Sequence, residues 1–184
     1  MPESEYTVVP TTLKPPGAGF FDQDTPLGKI PVLRDGDGPP FCESGAILQF
    51  LLERFGDGRL EPPAASPTRG PYLQWFHYAE GSLSQPLSTI LWHVRYKQDA
   101  AELPTVMADA RERLDGVLRF LANGLGEQEY LVGDFTAADI MNGFLLVAAS
   151  QLADGVYDGH PAVAAYVQRL MARPALQRVM SKQV

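Results

Sequence analysis

One stretch, Gly56 to Gly70 (GDGRLEPPAASPTRG), divides this 184-residue chain into two parts of different character. Glycine, proline and small residues interrupt the hydrophobic periodicity on either side of it, so it reads as a linker. Before it come short β-type segments: Tyr6-Thr7-Val8-Val9, then Ile30-Pro31-Val32-Leu33, then a turn through Asp35-Gly36-Asp37-Gly38 into Phe41-Cys42. Ile47, Phe50, Leu51 and Phe55 follow at helical spacing behind Ser44, a residue suited to a helix start. After the linker almost every apolar stripe is helical. The expected division is therefore a first domain over 1–57, a linker over 58–70 and an all-helical domain over 71–184.

Within the helical part, the pattern predicts a long helix from Pro71 to Arg95, with Tyr72, Trp75, Phe76 and Leu83 in its apolar part and a bend at Pro86. Val106, Ala110, Leu114, Val117 and Leu121 form a second stripe, ended by Asn123-Gly124. Phe135-Thr136-Ala137-Ala138-Asp139-Ile140 reads as a helix start. The Thr136 oxygen can accept from the Asp139 amide while the Asp139 carboxylate reaches back to the Thr136 amide, with Phe135 and Ile140 at the staple positions. Two shorter helices should follow, Pro161 to Met171 and from Pro174 onward, each opened by a proline whose missing amide does no harm there. There is no internal repeat.

Hydrophobic residues make up 45% and charged residues 20%, the balance of a packed globular protein. A net charge of −7 and a pI near 4.9 argue against a broad nucleic-acid or anionic-membrane surface. The apolar stretches fall short of the ~18 residues of a membrane span, and MPESEYTVVP has no basic segment followed by an apolar one, so the expected address is cytoplasmic. Cys42, the single cysteine, has no internal disulfide partner and no adjacent basic residue, and reads as a small buried hydrophobe. His77, His93 and His160 lack metal-ligand spacing, so no metal is expected. Asp35 to Gly38 is too short for a calcium loop and suits a turn.

The residues that carry chemistry lie in Gly28-Lys29-Ile30-Pro31-Val32-Leu33 and Glu43-Ser44-Gly45-Ala46-Ile47. Proline inside a strand-like run cannot donate to a ladder. A cis bond before Pro31 resolves the conflict and turns the Ile30 backbone outward, where it can pair with an extended peptide as if with an added strand. Glu43-Ser44 falls where a strand gives way to a helix, and a helix N-terminus offers free amides to a carboxylate. Glu43 can meet an ammonium group, and Lys29 a second carboxylate. These are the groups needed by a small peptide with one amino and two carboxylate ends.

GKIPVL followed by ESGAILQFLLERFGDGRL resembles the glutathione-binding half of glutathione transferases, and QWFHYAEGSL and DFTAADI resemble their helical half. The resemblance implies an α/β plus all-α fold, an incomplete thioredoxin-like domain followed by a helical domain, and a homodimer. The aromatic helix carrying Tyr72, Trp75 and Phe76 gives the dimer a second motive, an apolar surface for a partner. By position, the resemblance assigns Ile30, at the Ile30–Pro31 edge, to backbone pairing with the ligand cysteine. Glu43 and Ser44 go to the γ-glutamyl group, and Lys29 to the glycine carboxylate. Ser84 and Gln85 become candidate contacts for the second substrate, with exposed polar residues before a bend as the alternative.

Members of the family usually open with a strand and a helix, and the loop between them carries a Tyr, Ser or Cys that stabilises the glutathione thiolate. Here the resemblance starts at the second strand, with Tyr6 to Pro10 in that strand and MPESE at the end of the preceding helix. No catalytic residue is assigned. The expected function is transfer of glutathione, as co-substrate, to or from a small electrophile. The alternative is a non-catalytic glutathione-binding or dimerising scaffold without the thiol-activating residue.

Overall fold

The computed structural model describes residues 6–9, 27–152 and 155–182. They fall into two compact units, the first ending at Arg59 and the second beginning at Leu60. MPESE and Pro10 lie outside the described residues.

In the first unit, Leu33 and Phe41 exchange both backbone hydrogen bonds, at 3.0 and 2.9 Å, as an antiparallel bridge. The Gly38 amide donates to the Asp35 carbonyl at 3.1 Å and closes the turn between them. Helix α1 (Ser44–Phe55) follows at once and buries Ile47 and Leu52. Phe50 on α1 meets Phe41 edge to face at 5.3 Å, and Arg54 pairs with Asp35 in the turn, so the hairpin and the helix brace each other. The β-type reading is otherwise corrected. Tyr6, Val8 and Val9 are exposed and outside any strand, and in Ile30–Leu33 only Leu33 is bridged. A β-type segment becomes a strand only where a neighbour pairs with it, and Pro31 has no amide to offer one.

The second unit is helical. Its first helical run is continuous from Arg69 to Lys97: α2 (Arg69–Tyr78), a π-helical stretch Ala79–Leu83, α3 (Ser84–Leu91) and a second π-helical stretch Trp92–Lys97. The expected disturbance at Pro86 is thus a π turn just ahead of it. The Ser84 amide bonds the Ala79 carbonyl one residue further back than in an α-helix, and the Ser84 hydroxyl donates to the Glu80 carbonyl at 2.9 Å. Leu60 to Thr68, read from composition as linker, is fastened to this unit. The Leu60 carbonyl accepts from Ala137 at 2.8 Å, and Arg69 binds Glu61 at 2.7 Å and the Pro62 carbonyl at 2.9 Å.

Helix α4 (Pro104–Leu125) buries Met107, Ala110, Leu114, Leu118, Leu121 and Leu125. The core stripe is therefore rotated from the expected one, with Val106 exposed and Val117 only partly covered. The helix also runs past Asn123-Gly124. A Cβ on Gly124 would stand 2.1 Å from the Trp75 ring, so this glycine admits a close helix contact, and the stop is Gly126 at φ +52°. Tyr72, Trp75 and Phe76 are 3%, 4% and 3% exposed, so the aromatic face expected to serve a partner is core within the chain.

Helix α5 (Ala137–Leu152) packs against α2, and both α4 and α5 pack against α6 (Pro161–Met171), which precedes α7 (Pro174–Ser181). Asn142, fully buried on α5, donates to the Trp75 carbonyl at 2.7 Å and the Ala138 carbonyl at 2.8 Å, tying α5 to α2. Asp139 is 0% exposed. One carboxylate oxygen accepts from the Leu131 amide at 3.0 Å and the Tyr166 hydroxyl at 2.7 Å. The other accepts from the Thr136 amide at 2.8 Å and the Thr136 hydroxyl at 3.2 Å. The capping reading is corrected in one half: the Thr136 side chain donates to Asp139, and it is the Thr136 backbone carbonyl that accepts the Asp139 amide, at 3.1 Å. Phe135 packs against Tyr130 and under the Arg173 guanidinium, while Ile140, at the other staple position, is exposed.

Replacing Asp139 by Ala strands buried donors from Leu131, Thr136 and Tyr166 together, so Asp139→Ala is expected to cost roughly 3 kcal/mol or more of stability. Gly124→Ala forces Trp75 to move and is expected to cost about 1–3 kcal/mol. Urea unfolding of the two variants beside the parent chain measures both. A change below about 1 kcal/mol in Asp139→Ala would contradict the node.

Candidate functional site

Among the residues expected to bind a ligand, Lys29, Ile30, Pro31, Glu43 and Ser44 belong to the first unit, and Ser84 and Gln85 to the second. The Leu33–Phe41 bridge organises the first group. The bridge joins Leu33 to Phe41, with Pro31 and Val32 preceding it on one arm and Cys42 and Glu43 following it on the other. Lys29 and Ile30 continue the arm beyond Pro31, and Ser44 opens α1 on the other.

The Ile30–Pro31 peptide bond is cis, and Lys29, Ile30 and Pro31 are exposed, Ile30 by 49%. The Ile30 amide and carbonyl lie on an arm whose only described bridge is three residues away, at Leu33.

Glu43 is the residue before the helix, and its backbone sits at φ +74°, ψ +112°. That is a left-handed conformation which side chains other than glycine adopt at a cost of order 1–3 kcal/mol. Sequence reading did not find this strain, since nothing in Cys42-Glu43-Ser44 distinguishes it from an ordinary strand-to-helix junction. Its local effect is a sharp turn of the chain into α1. The Ile47 amide makes the first helical bond, to the Glu43 carbonyl at 2.9 Å, and among the described residues no side chain caps the helix. The amides of the first turn therefore point away from α1 with the positive end of the helix dipole behind them. A carboxylate is the natural partner for such an end, and the exposed Glu43 carboxylate beside it suits an ammonium group. Cys42 is partly covered and follows the bridged Phe41.

In the second unit, Ser84 and Gln85 are the first two residues of α3. Ser84 is partly buried with its hydroxyl committed to the Glu80 carbonyl. Gln85 is exposed, and its backbone carbonyl accepts the Thr89 hydroxyl at 3.0 Å. Two histidines are paired with aspartates: the His93 Nδ1 lies 2.7 Å from Asp99 at the end of the first helical run, and the His160 Nε2 lies 2.9 Å from Asp115. No group of three or more His, Cys, Asp or Glu stands in metal-binding range among the described residues, and no described helix is long and apolar enough to cross a membrane.

Residues 3–63 match the sequence model of the glutathione S-transferase N-terminal domain, and residues 85–174 that of the glutathione S-transferase C-terminal domain. The chain is 30% identical over 172 residues to glutathione S-transferase F14 of Arabidopsis thaliana, covering 89% of this chain and 67% of that protein. It belongs to the glutathione transferase superfamily.

Glutathione S-transferase PARB of Nicotiana tabacum is also 30% identical, over 85% of this chain and 76% of its own length. Among solved structures, a glutathione transferase of Phanerochaete chrysosporium, crystallised with oxidized glutathione, is 26% identical. It superposes with a TM-score of 0.73 over 84% of this chain and 73% of its own. The fold is that of a glutathione transferase, with its helical C-terminal domain in the second unit. The strain at Glu43 should be measurable. Glu43→Gly relieves the left-handed backbone and is expected to raise stability by about 1 kcal/mol. Denaturant midpoints of the two chains decide it, and a loss of stability in Glu43→Gly contradicts the strained turn.

Proposed function

We propose that this chain binds glutathione on its first unit and transfers it to a small electrophile. The observation that carries the reading is the N-terminus of α1 behind the strained Glu43 turn, which has no side-chain cap among the described residues, together with the exposed cis Ile30–Pro31 edge. In this reading the first unit is part of a thioredoxin-like glutathione-binding domain. Ile30 pairs with the backbone of the ligand cysteine, as an added strand would. The γ-glutamyl carboxylate lies on the Ser44 amide and hydroxyl, its ammonium on Glu43, and the glycine carboxylate on Lys29.

Conjugation forms a bond from the glutathione sulfur to the electrophilic carbon, and the displaced group leaves with the electron pair of its own bond. The sulfur must react as a thiolate. A thiol of pKa ~8.5 is only about 3% ionised at neutral pH, so lowering that pKa is the transferase's chief contribution to the chemical step. Gln85, with its exposed amide, and Ser84 are the proposed contacts for the second substrate. Ser84 would act there as an acceptor, because its proton is held by Glu80. The working form in this reading is a cytoplasmic homodimer, and its contact surface lies elsewhere than Tyr72, Trp75 and Phe76.

Calorimetric titration with glutathione is the test. Each charge-assisted contact is worth ~1.5–3 kcal/mol, so Ser44→Ala and Glu43→Gln are each expected to weaken binding about 10- to 100-fold. Turnover of a dinitrophenyl halide by the parent chain separates a transferase from a binding scaffold. Unchanged affinity in both folded variants overturns the site, and binding without turnover overturns the transferase.

A further inference from the structure

The second unit contains a cavity that the reading above leaves unused. It is about 400 Å³, within the range of small-molecule sites, and lies between α3 with the helical turn after it, α4 and the turn that leads into α6. Ile90, Val94, Leu114, Leu118 and Val156 supply apolar wall, and Arg111, Asp115, Asp158 and His160 supply the polar groups.

Two of those four polar groups are already engaged. Asp115 faces the His160 Nε2 at 2.9 Å with one oxygen and accepts from Arg119 with the other, and the His160 side chain is only 10% exposed. Arg111 and Asp158 differ. Both are exposed, and among the described residues neither has an ion pair or a side-chain hydrogen bond. No ion pair joins them to each other. The cavity therefore presents one unpaired cation and one unpaired anion beside apolar wall.

We propose that this cavity binds a small zwitterion with an apolar body, an apolar amino acid or dipeptide, with its carboxylate on Arg111 and its ammonium on Asp158. A simple anion would meet Arg111 but face Asp158, and a simple amine the reverse. An uncharged apolar molecule would leave both groups unpaired. Only a ligand carrying both charges satisfies the pair while its body covers Ile90, Leu114 and Val156.

The full chain is titrated with L-phenylalanine, with phenylpropanoate, which lacks the amine, and with phenethylamine, which lacks the carboxylate. Backbone amide shifts of Leu114 and Val156 are followed. Phenylalanine is expected to shift both amides saturably, and each analogue to bind at least about 10-fold more weakly, the value of one lost charge-assisted contact. Arg111→Gln and Asp158→Asn change exposed side chains and should leave thermal unfolding unchanged. Each is expected to weaken phenylalanine by about the same factor, and Arg111→Gln to abolish its advantage over phenethylamine. Either analogue binding as tightly as phenylalanine, or phenylalanine affinity surviving both substitutions, overturns the zwitterion. No saturable shift at Leu114 and Val156 overturns the site itself.

Discussion

Asp139 has no exposure to water and four donors aimed at its two oxygens. A buried carboxylate is costly unless every lone pair is used, and here each donor comes from a place the helical unit must hold still. The Thr136 amide and hydroxyl fix the first turn of α5. The Leu131 amide anchors the loop that precedes it, and the Tyr166 hydroxyl brings in α6. Burial, with the charge and hydrogen bond of Asp139 in support, pushes the Tyr166 phenol far above its ordinary range, so it stays a donor at any working pH. Ala137, beside this node, donates to the Leu60 carbonyl, so the start of α5 also holds the chain that enters the unit.

The first unit works with a different constraint. Among the described residues its hairpin is braced by the Leu33–Phe41 bridge, the Phe41–Phe50 ring contact and the Arg54–Asp35 ion pair, and α1 begins behind a residue whose backbone is strained. Strain of this kind persists where the surroundings over-determine it, and it collects where a backbone must present atoms to a ligand. The turn at Glu43 leaves free amides and one carboxylate at the end of a helix. The two units thus divide the labour in the proposed transferase: a rigid helical core fixed by buried polar bonds, and a small exposed edge whose chemistry is mostly backbone.

Much of this was legible in the residues. The prolines at 161 and 174 mark two helix starts because a first-turn proline loses no bond, and Thr136 with Asp139 marks a third. Pro31 in a strand-like run pointed to the cis bond. What was not legible depends on tertiary contact. Gly124 looks like a stop until Trp75 is seen against it, and only the φ of Gly126 distinguishes the true end. Whether Tyr72, Trp75 and Phe76 face a partner or their own core is not a property of helical spacing, which both outcomes share. The Tyr6–Val9 segment has strand composition, but pairing is supplied by neighbours, and the left-handed Glu43 has no sequence signal at all. The unpaired charges of Arg111 and Asp158 become visible only once α4 and the turn before α6 are in place.

The central claim is that the free end of α1 receives the γ-glutamyl carboxylate of glutathione, with the Ile30 arm alongside. The most direct measurement follows backbone amide resonances of the intact chain as glutathione is added. The account predicts that the Ser44 and Ile30 amides shift together along one saturation curve, with Ser44 moving toward the stronger hydrogen bond expected of a carboxylate acceptor. Saturable binding that leaves the Ser44 amide where it stands in the free protein would contradict it.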